Sequence, residues 1–167
     1  MIANTFLQDI DEVFNLYKTA SDFKKTVSGV QWPDFDRNMI ETEIKENRHW
    51  KIMVDGHIAC VWSITFDDLP VWGDRNTDSA IYIHRIATNP NFRGQKFVEQ
   101  IAGWAKQFAA ENNKRYVRMD TTAGNPRLTG YYVQCGFSHL GSKKMGNAEG
   151  LPSHYHKATM ELFQLEA

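Results

Sequence analysis

Apolar side chains recur at helical spacing in four segments of the chain. This spacing predicts helices over residues 6–19, 34–47, 96–111 and 126–135. Thr5 and Gln8 have the form of a capping box ahead of the first helix. Asn125 and Pro126 fit the cap and first position of the last helix, and Gly136 fits the position just beyond its end.

Continuous or alternating apolar runs predict the strands. They cover residues 2–4, 50–54, 57–66, 79–88, 116–122, 137–141 and 158–163. The pair Asp55-Gly56 predicts a tight hairpin, with strand 79–88 extending it as an antiparallel meander. A helix between strands 79–88 and 116–122 implies a parallel right-handed crossover. We therefore predict a single α/β domain over residues 1–167.

Three segments show neither the helical spacing of apolar residues nor the apolar runs typical of strands, and they are predicted to be loops. These are residues 20–34, 67–78 and 142–157, and the last of them is polar and rich in glycine.

Charge and cysteine content narrow the classes of function. Lys and Arg total 19 against 20 Asp and Glu, a formal charge of -1, so a broad basic surface for nucleic acid is not expected. We expect neither a signal peptide nor a membrane span, and a cytoplasmic location. Cys60 and Cys135 do not form a CxxC pair, which argues against a disulfide framework or a zinc knuckle.

The segment from Ile81 to Val98 carries the most chemical information. Its strand runs through Asn89-Pro90 into Arg93-Gly94-Gln95 and then directly into an amphipathic helix. Backbone N–H groups, the positive end of a helix dipole and two cations therefore come together at one point. This arrangement predicts a phosphate-binding turn, and a plain strand-to-helix connection is the alternative.

The stretches IHRIATNPNFRGQKF and NPRLTGYYVQCGF, in this order of elements, resemble the GNAT superfamily of acyl-CoA-dependent N-acyltransferases. The resemblance implies a mixed, mostly antiparallel sheet of about six to seven strands flanked by helices. It also implies that strands 79–88 and 116–122 splay apart, and that acetyl-CoA is the co-substrate.

The resemblance assigns the coenzyme-binding residues. The family's phosphate turn aligns with six consecutive residues: Arg93, Gly94, Gln95, Lys96, Phe97 and Val98. Lys96 and Val98 stand where the family usually has small residues, and a left-handed backbone at Lys96 costs about 1–2 kcal/mol. Pantetheine is implied to pair with the backbone of Ile86, Ala87 and Thr88, where an N–H would face the thioester oxygen.

The second motif of the resemblance is a helix pattern that ends in glycine and phenylalanine. It matches Asn125, Leu128, Tyr131, Tyr132, Gly136 and Phe137. Tyr132 is implied to be the general acid that protonates the departing coenzyme A thiolate. Asn125 caps the helix and is a candidate contact to pantetheine. Packing beneath the sheet is the alternative for Tyr132.

The acceptor amine must lose a proton before it attacks, which requires a base. His84 is our candidate, with Tyr82 on the same strand face, and a buried, hydrogen-bonded core histidine is the alternative. Asp120 is the second candidate base. Trp72 is a candidate for the acceptor pocket because its loop precedes the central strand. Asp67-Asp68 is interpreted as solvated charge that could attract a cationic amine.

Three histidines near the end of the chain do not predict a metal site. His154 and His156 have strand-like spacing, and His139 could join them, but no carboxylate or thiolate completes a ligand set. We expect no metal.

The sequence therefore predicts an acetyl-CoA-dependent N-acetyltransferase that moves an acetyl group to a primary amine by direct attack in a ternary complex. The alternative is a non-catalytic coenzyme-binding, sensory or interaction domain with an eroded phosphate turn. The acceptor is a small molecule or a peptide amine, and its identity stays open. A homodimer also stays open, since dimers are common among similar folds.

Overall fold

The computed structural model describes residues 1–146 and 155–167, and these form two compact units. The first unit comprises residues 1–64 and 84–97, and the second comprises residues 65–83 and 98–167.

The described residues form seven strands and five α-helices. The strands are β1 (Ile2–Asn4), β2 (His49–Val54), β3 (His57–Thr65), β4 (Ala80–Thr88), β5 (Tyr116–Thr122), β6 (Ser138–Lys144) and β7 (Thr159–Glu166). The helices are α1 (Ile10–Ser28), α2 (Arg37–Lys45), α3 (Leu69–Trp72), α4 (Phe97–Glu111) and α5 (Pro126–Gln134). The strand order β1-β2-β3-β4-β5-β7-β6 confirms the predicted mixed sheet.

The first unit is built on the predicted hairpin. β2 pairs antiparallel with both β1 and β3. The turn residues Asp55 and Gly56 have φ angles of 49° and 79°, the two positive values that a type I′ turn requires. Apolar side chains from α1, α2, β3 and the end of β4 form the core of this unit: Ile10, Val13, Leu16, Tyr17, Ile40, Ile44, Ile58, Val61 and Ala87.

Helix α1 is longer than predicted. It extends to Ser28 and ends at Gly29, whose φ of 71° is left-handed and whose N–H donates to the Lys25 carbonyl. The prediction of irregular structure was wrong for residues 20–28, because this part of the helix shows no continuous apolar stripe. Its large side chains Phe23 and Val27 are each 50% exposed.

The predicted capping box at Thr5 and Gln8 is also wrong. The Thr5 hydroxyl lies 2.8 Å from Nδ1 of the buried His49, so it does not cap the helix. Instead, the Asp9 carboxylate accepts from the N–H of Phe6 at 2.8 Å. Helix α2 is shorter than predicted and begins after Asp36, which accepts from the N–H of Asn38 at 3.0 Å.

The second unit contains the predicted parallel crossover. Ala80–Ile83 of β4 pairs in parallel with Tyr116–Met119 of β5, on either side of α4 in the sequence. β7 pairs antiparallel with β5 and with β6. The parallel ladder thus covers the first four residues of β4, and the remaining residues belong to the first unit.

Two predicted loops contain regular structure. Residues 67–78 include α3 and a 3-10 helix at Gly73–Thr77. Burial of the Val71 and Trp72 side chains stabilises this segment. β6 extends to Lys144, and residues 147–154 lie outside the described residues. Within the described ranges, every helix is too short or too polar to cross a bilayer.

Candidate active site

The predicted phosphate turn has two left-handed residues. Gly94 has a φ of 83° and Lys96 a φ of 55°, and α4 begins at the next residue, Phe97. Upstream, the Asn89 side chain accepts from the N–H of Asn91 at 3.0 Å and starts a 3-10 turn. Alternating left-handed residues turn successive N–H groups into a concave anion-binding surface. The backbone of the turn is therefore compatible with binding an anion.

The environment of this turn is open and cationic. A Cβ added at Gly94 would meet no atom within 4 Å, and Arg93 and Lys96 are both exposed. The guanidinium of Arg93 lies 4.1 Å from the ring centroid of Phe23 on α1. The part of α1 that the sequence did not predict therefore supplies a contact for Arg93, the first residue of the turn. Val98, the second residue of α4, is half-buried.

The end of β4 contains the backbone predicted to pair with pantetheine. Ala87 is fully buried, whereas Ile86 and Thr88 are half-buried. The Thr88 hydroxyl contacts the Cys60 thiol at 3.6 Å, and burial raises the pKa of that thiol to about 12. Cys60 is therefore a buried packing residue with little thiolate character.

Arg85 departs from extended geometry in the middle of this strand, because its φ is 51°. Its Nη2 donates to both carboxylate oxygens of Glu43 at 2.5 Å and to the Ser63 hydroxyl at 2.7 Å. The guanidinium also lies 5.3 Å from the Phe35 ring centroid. The Glu43 side chain is only 6% exposed, so the ion pair is buried.

His84 is half-buried beside two cations. Burial, together with the charges of Arg85 and Arg48, lowers its pKa from 6.5 to about 3. The imidazole is therefore neutral at physiological pH, and it has little tendency to take up a proton.

The predicted motif helix lies in the second unit. The Asn125 side chain accepts from the N–H of Leu128 at 3.1 Å, which confirms it as the cap of α5. Gly136 has a φ of 101°, as the predicted position beyond the helix end requires. Tyr132 is half-buried, with its ring edge-on to Phe163 at a centroid distance of 5.1 Å.

Tyr82 and Trp72 contact each other in the core of this unit, with their rings 5.8 Å apart. Arg118 donates to the Tyr82 hydroxyl at 3.2 Å, and its guanidinium lies 4.6 Å from the Trp72 ring centroid. Burial raises the pKa of Tyr82. Trp72 also lines an open pocket with Arg75, Ser142 and Lys143.

Asp68, which we predicted from the sequence to be a solvated charge, lies in a partly buried environment. Its Oδ2 is buried and has no hydrogen-bond partner within residues 1–146 and 155–167. A carboxylate oxygen of Asp68 lies within 4.8 Å of one of Asp120. Burial first, and then the Asp120 charge, raise the Asp68 pKa from 3.8 to about 7. Asp120 itself accepts from the Tyr155 hydroxyl at 3.1 Å.

Of the three histidines considered for a metal, His139 lies 2.6 Å from the Glu161 carboxylate and stacks on Phe163. His156 is exposed, and His154 lies outside the described residues. The side chains of Ser142 and His139 both bond to Glu161 and lower its pKa against the effect of burial. His139 therefore has a structural partner.

Comparison with known proteins identifies the family. The model of the Acetyltransferase (GNAT) family matches residues 10–137, and the chain belongs to this family. This membership confirms the predicted class, an acetyltransferase, and acetyl-CoA as the donor that the family uses.

Individual relatives are more distant. The chain is 29% identical over 79 residues to the uncharacterized N-acetyltransferase YesJ of Bacillus subtilis (strain 168). That match covers 47% of this chain and 44% of YesJ, less than half the length of either.

Two solved structures show the same fold. A GNAT-family acetyltransferase from Listeria monocytogenes 4b F2365 has a TM-score of 0.76 at 23% identity, and the match covers 100% of this chain and 94% of that one. The structure of yncA from Salmonella typhimurium with its cofactor acetyl-CoA has a TM-score of 0.71 at 11% identity, covering 99% of this chain and 92% of that one.

The residues of the turn fit the diphosphate of the family's co-substrate. The space around Gly94 lets a ligand approach the main chain closely, and Arg93 and Lys96 supply positive charge beside it. Lys96 takes the left-handed conformation for which a small residue is usual, but it keeps its N–H.

Proposed function

We propose that this protein transfers the acetyl group of acetyl-CoA to a primary amine by direct attack within a ternary complex. The observation that carries the proposal is the left-handed Gly94 and Lys96 in a cationic turn immediately before α4. Acetyl-CoA supplies an acyl group already activated as a thioester. A direct mechanism requires no nucleophile from the chain, and the buried Cys60 thiol is unsuited to be one.

In this proposal the coenzyme is held by main chain more than by side chains. The N–H groups of the turn from Arg93 to Val98 bind the diphosphate, and the side chains of Arg93 and Lys96 add charge. The backbone of Ile86, Ala87 and Thr88 pairs with pantetheine, as an added strand would. An N–H near Ile86 or Ala87 donates to the thioester oxygen and stabilises the negative charge that develops there. Asn125 is a further contact to pantetheine.

Tyr132 is proposed to donate a proton to the sulfur of coenzyme A as it leaves. A thiol has a pKa of about 8.5 and a phenol a pKa of about 10, so the tyrosine is protonated at neutral pH. It transfers its proton only as charge develops on sulfur. Its half-buried position near the C-terminal end of α5 supports this role, because the residue is not fully enclosed in the core.

Three residues are proposed as candidates for the base on the acceptor side. His84 and Asp120 follow from the sequence, and the structure adds Asp68. A general base works best when its pKa is close to the working pH. Asp68, with a pKa of about 7, meets this condition, whereas His84, with a pKa of about 3, is better suited to orient a water or the amine. Tyr82 and Trp72 are proposed to shape the acceptor side of the second unit.

Calorimetric titration with acetyl-CoA and a thiol-release assay with a panel of primary amines test the proposal. We expect binding, and acetyl transfer that depends on the amine. Binding without thiol release from any amine would favour the non-catalytic coenzyme-binding alternative. Absence of binding would contradict both functions.

The Tyr132→Phe variant tests the acid. We expect turnover to fall by about 10²–10⁴-fold, the usual contribution of a positioned acid, with the acetyl-CoA Kd unchanged. Tyr131→Phe is the matched control, because it removes a hydroxyl from the adjacent position of the same helix. Equal turnover in the wild type and Tyr132→Phe across pH 6–9 would remove Tyr132 from this role.

A further inference from the structure

Arg85 combines two features that rarely occur together in a strand. Its φ of 51° lies in the left-handed region, which a long, non-glycine side chain seldom adopts. Its side chain, only 15% exposed, is held by a carboxylate from α2 and a hydroxyl from β3. Glycine could take this φ without steric cost, but it could not supply these contacts.

A single left-handed residue interrupts the extended geometry of a strand and changes the direction of the residues that follow it. The residues that follow Arg85 are Ile86, Ala87 and Thr88, which the proposed function assigns to pantetheine and to the thioester oxygen. The direction of their N–H and C=O groups therefore depends on the conformation at Arg85. Rare backbone conformations persist where surrounding contacts hold them in place, and they cluster at functional sites.

The contacts of Arg85 are strong enough to hold such a conformation. One guanidinium nitrogen donates to both oxygens of Glu43, and the same nitrogen reaches Ser63. Burial alone would lower the pKa of Arg85, but Tyr17 and Glu43 raise it overall, so the guanidinium stays charged. Its Nε is buried and has no hydrogen-bond partner within the described part of the chain. The buried positive charge is therefore compensated mainly by the ion pair with Glu43.

We infer that Arg85 is a positioning residue for acetyl transfer: its buried ion pair with Glu43 holds the left-handed turn in β4 that aims the main chain of Ile86–Thr88. The inference rests on the proposed function. A positioning role differs from a purely structural role in its effect on catalysis. Breaking the Arg85–Glu43 ion pair should lower catalysis more than breaking another buried ion pair in the same unit.

The first unit provides a matched control. Lys51 and Asp9 form another buried ion pair at 2.5 Å, with side chains 8% and 14% exposed, between β2 and the turn before α1. Lys51→Met should therefore reduce stability without redirecting β4. Glu43→Gln keeps the shape and one acceptor oxygen of its side chain but loses the charge. Arg85→Lys keeps the charge but loses the fork geometry.

Steady-state kinetics on these variants, each well below its own melting temperature, test the inference. We expect Glu43→Gln and Arg85→Lys to lower kcat by about 10–100-fold with the acetyl-CoA Kd changed less than about threefold, since misaiming a donor acts mainly in the transition state. Lys51→Met should keep kcat within about threefold of the wild type. A kcat within threefold in Glu43→Gln, or an equal loss in Lys51→Met, would overturn the inference.

Backbone amide shifts measured by NMR provide a readout that does not depend on activity. Glu43→Gln should shift the Ile86, Ala87 and Thr88 resonances more than Lys51→Met does, and unchanged resonances there would overturn the inference. If Arg85→Lys does not fold, Glu43→Gln decides by the same criteria. A wild-type protein that neither binds acetyl-CoA nor acetylates any amine contradicts the proposed function instead, and the amide shifts still decide whether the ion pair holds the turn.

Discussion

Replacing Lys96 by glycine separates backbone strain from phosphate binding in the turn. Lys96 has a φ of 55°, which costs a residue with a Cβ about 1–2 kcal/mol. Glycine avoids this cost but loses about 0.5–1 kcal/mol more conformational entropy on folding. We therefore expect Lys96→Gly to be more stable than the wild type by up to about 1.5 kcal/mol, or about 2–4 °C in Tm for each kcal/mol at this chain length.

Lys157 supplies a matched control for the backbone effect. It is also an exposed lysine, and its φ of 56° is nearly the same. Lys157→Gly should therefore give a similar gain in the free energy of unfolding, measured by chemical denaturation. Because Lys157 lies outside the turn at residues 93–98, its substitution should leave acetyl-CoA binding unchanged.

The two variants should differ in their affinity for acetyl-CoA. An ammonium about 4 Å from a phosphate charge contributes about 1 kcal/mol in water, so Lys96→Gly should weaken binding by about fivefold at low ionic strength. The difference from the wild type should shrink as salt is added, since exposed charges are screened over about 10 Å at 0.1 M. Calorimetric titration at two salt concentrations measures both effects.

Two results would refute this reasoning. Loss of stability in Lys96→Gly of the size expected for an ordinary helix-flanking glycine would show that the left-handed conformation carries no strain. Acetyl-CoA affinity equal to that of the wild type at low salt would show that the Lys96 ammonium does not contact the diphosphate, and only the main chain of the turn would then remain as its ligand.

Two further predictions concern Phe23 and Asp68. Phe23→Ala should weaken acetyl-CoA binding by about two- to fivefold, since the contact of Arg93 with an exposed ring contributes about 0.5–1 kcal/mol. Val27 is equally exposed on the same helix, and Val27→Ala should leave binding unchanged. Equal effects of the two substitutions would contradict a role for the Phe23 ring. The raised Asp68 pKa means that the folded state binds more protons than the unfolded state between about pH 4 and pH 7, so this carboxyl lowers stability as pH rises through that window. Asp68→Asn should remove that loss, worth about one to a few kcal/mol above pH 7. If Asp68 is the base, the variant should also lose the rise of kcat/KM near pH 7. Denaturation and rate profiles between pH 4 and pH 9 check both effects, and profiles parallel to the wild type would contradict them.

Local sequence signals were sufficient for the elements that have local causes. The turn at Asp55-Gly56, the Asn125 cap and the start of α4 each depend on a few neighbouring residues, and all were predicted close to their observed positions. The second half of α1 was missed because Phe23 and Val27 remain exposed, and a helix that buries little leaves no periodic apolar pattern.

The left-handed Arg85 had no signal in the sequence. Glycine or asparagine would have suggested a bulge, but arginine in a run of strand residues suggests a regular strand. Its side chain bonds to Glu43 and Ser63, which are 42 and 22 positions away in the chain. Such a position can be identified only after the fold has brought these side chains together.

The candidate bases show how the environment can change the pKa expected from residue type. Histidine normally titrates near neutral pH and aspartate near pH 4, so the sequence favours His84. Burial disfavours the charged form of both groups, and the neighbouring charges act in the same direction: cations beside His84 and an anion beside Asp68. The imidazole pKa therefore falls to about 3 while the carboxyl pKa rises to about 7. An ammonium group beside the buried Asp68 carboxylate would favour its ionised form, which is the form that can accept a proton.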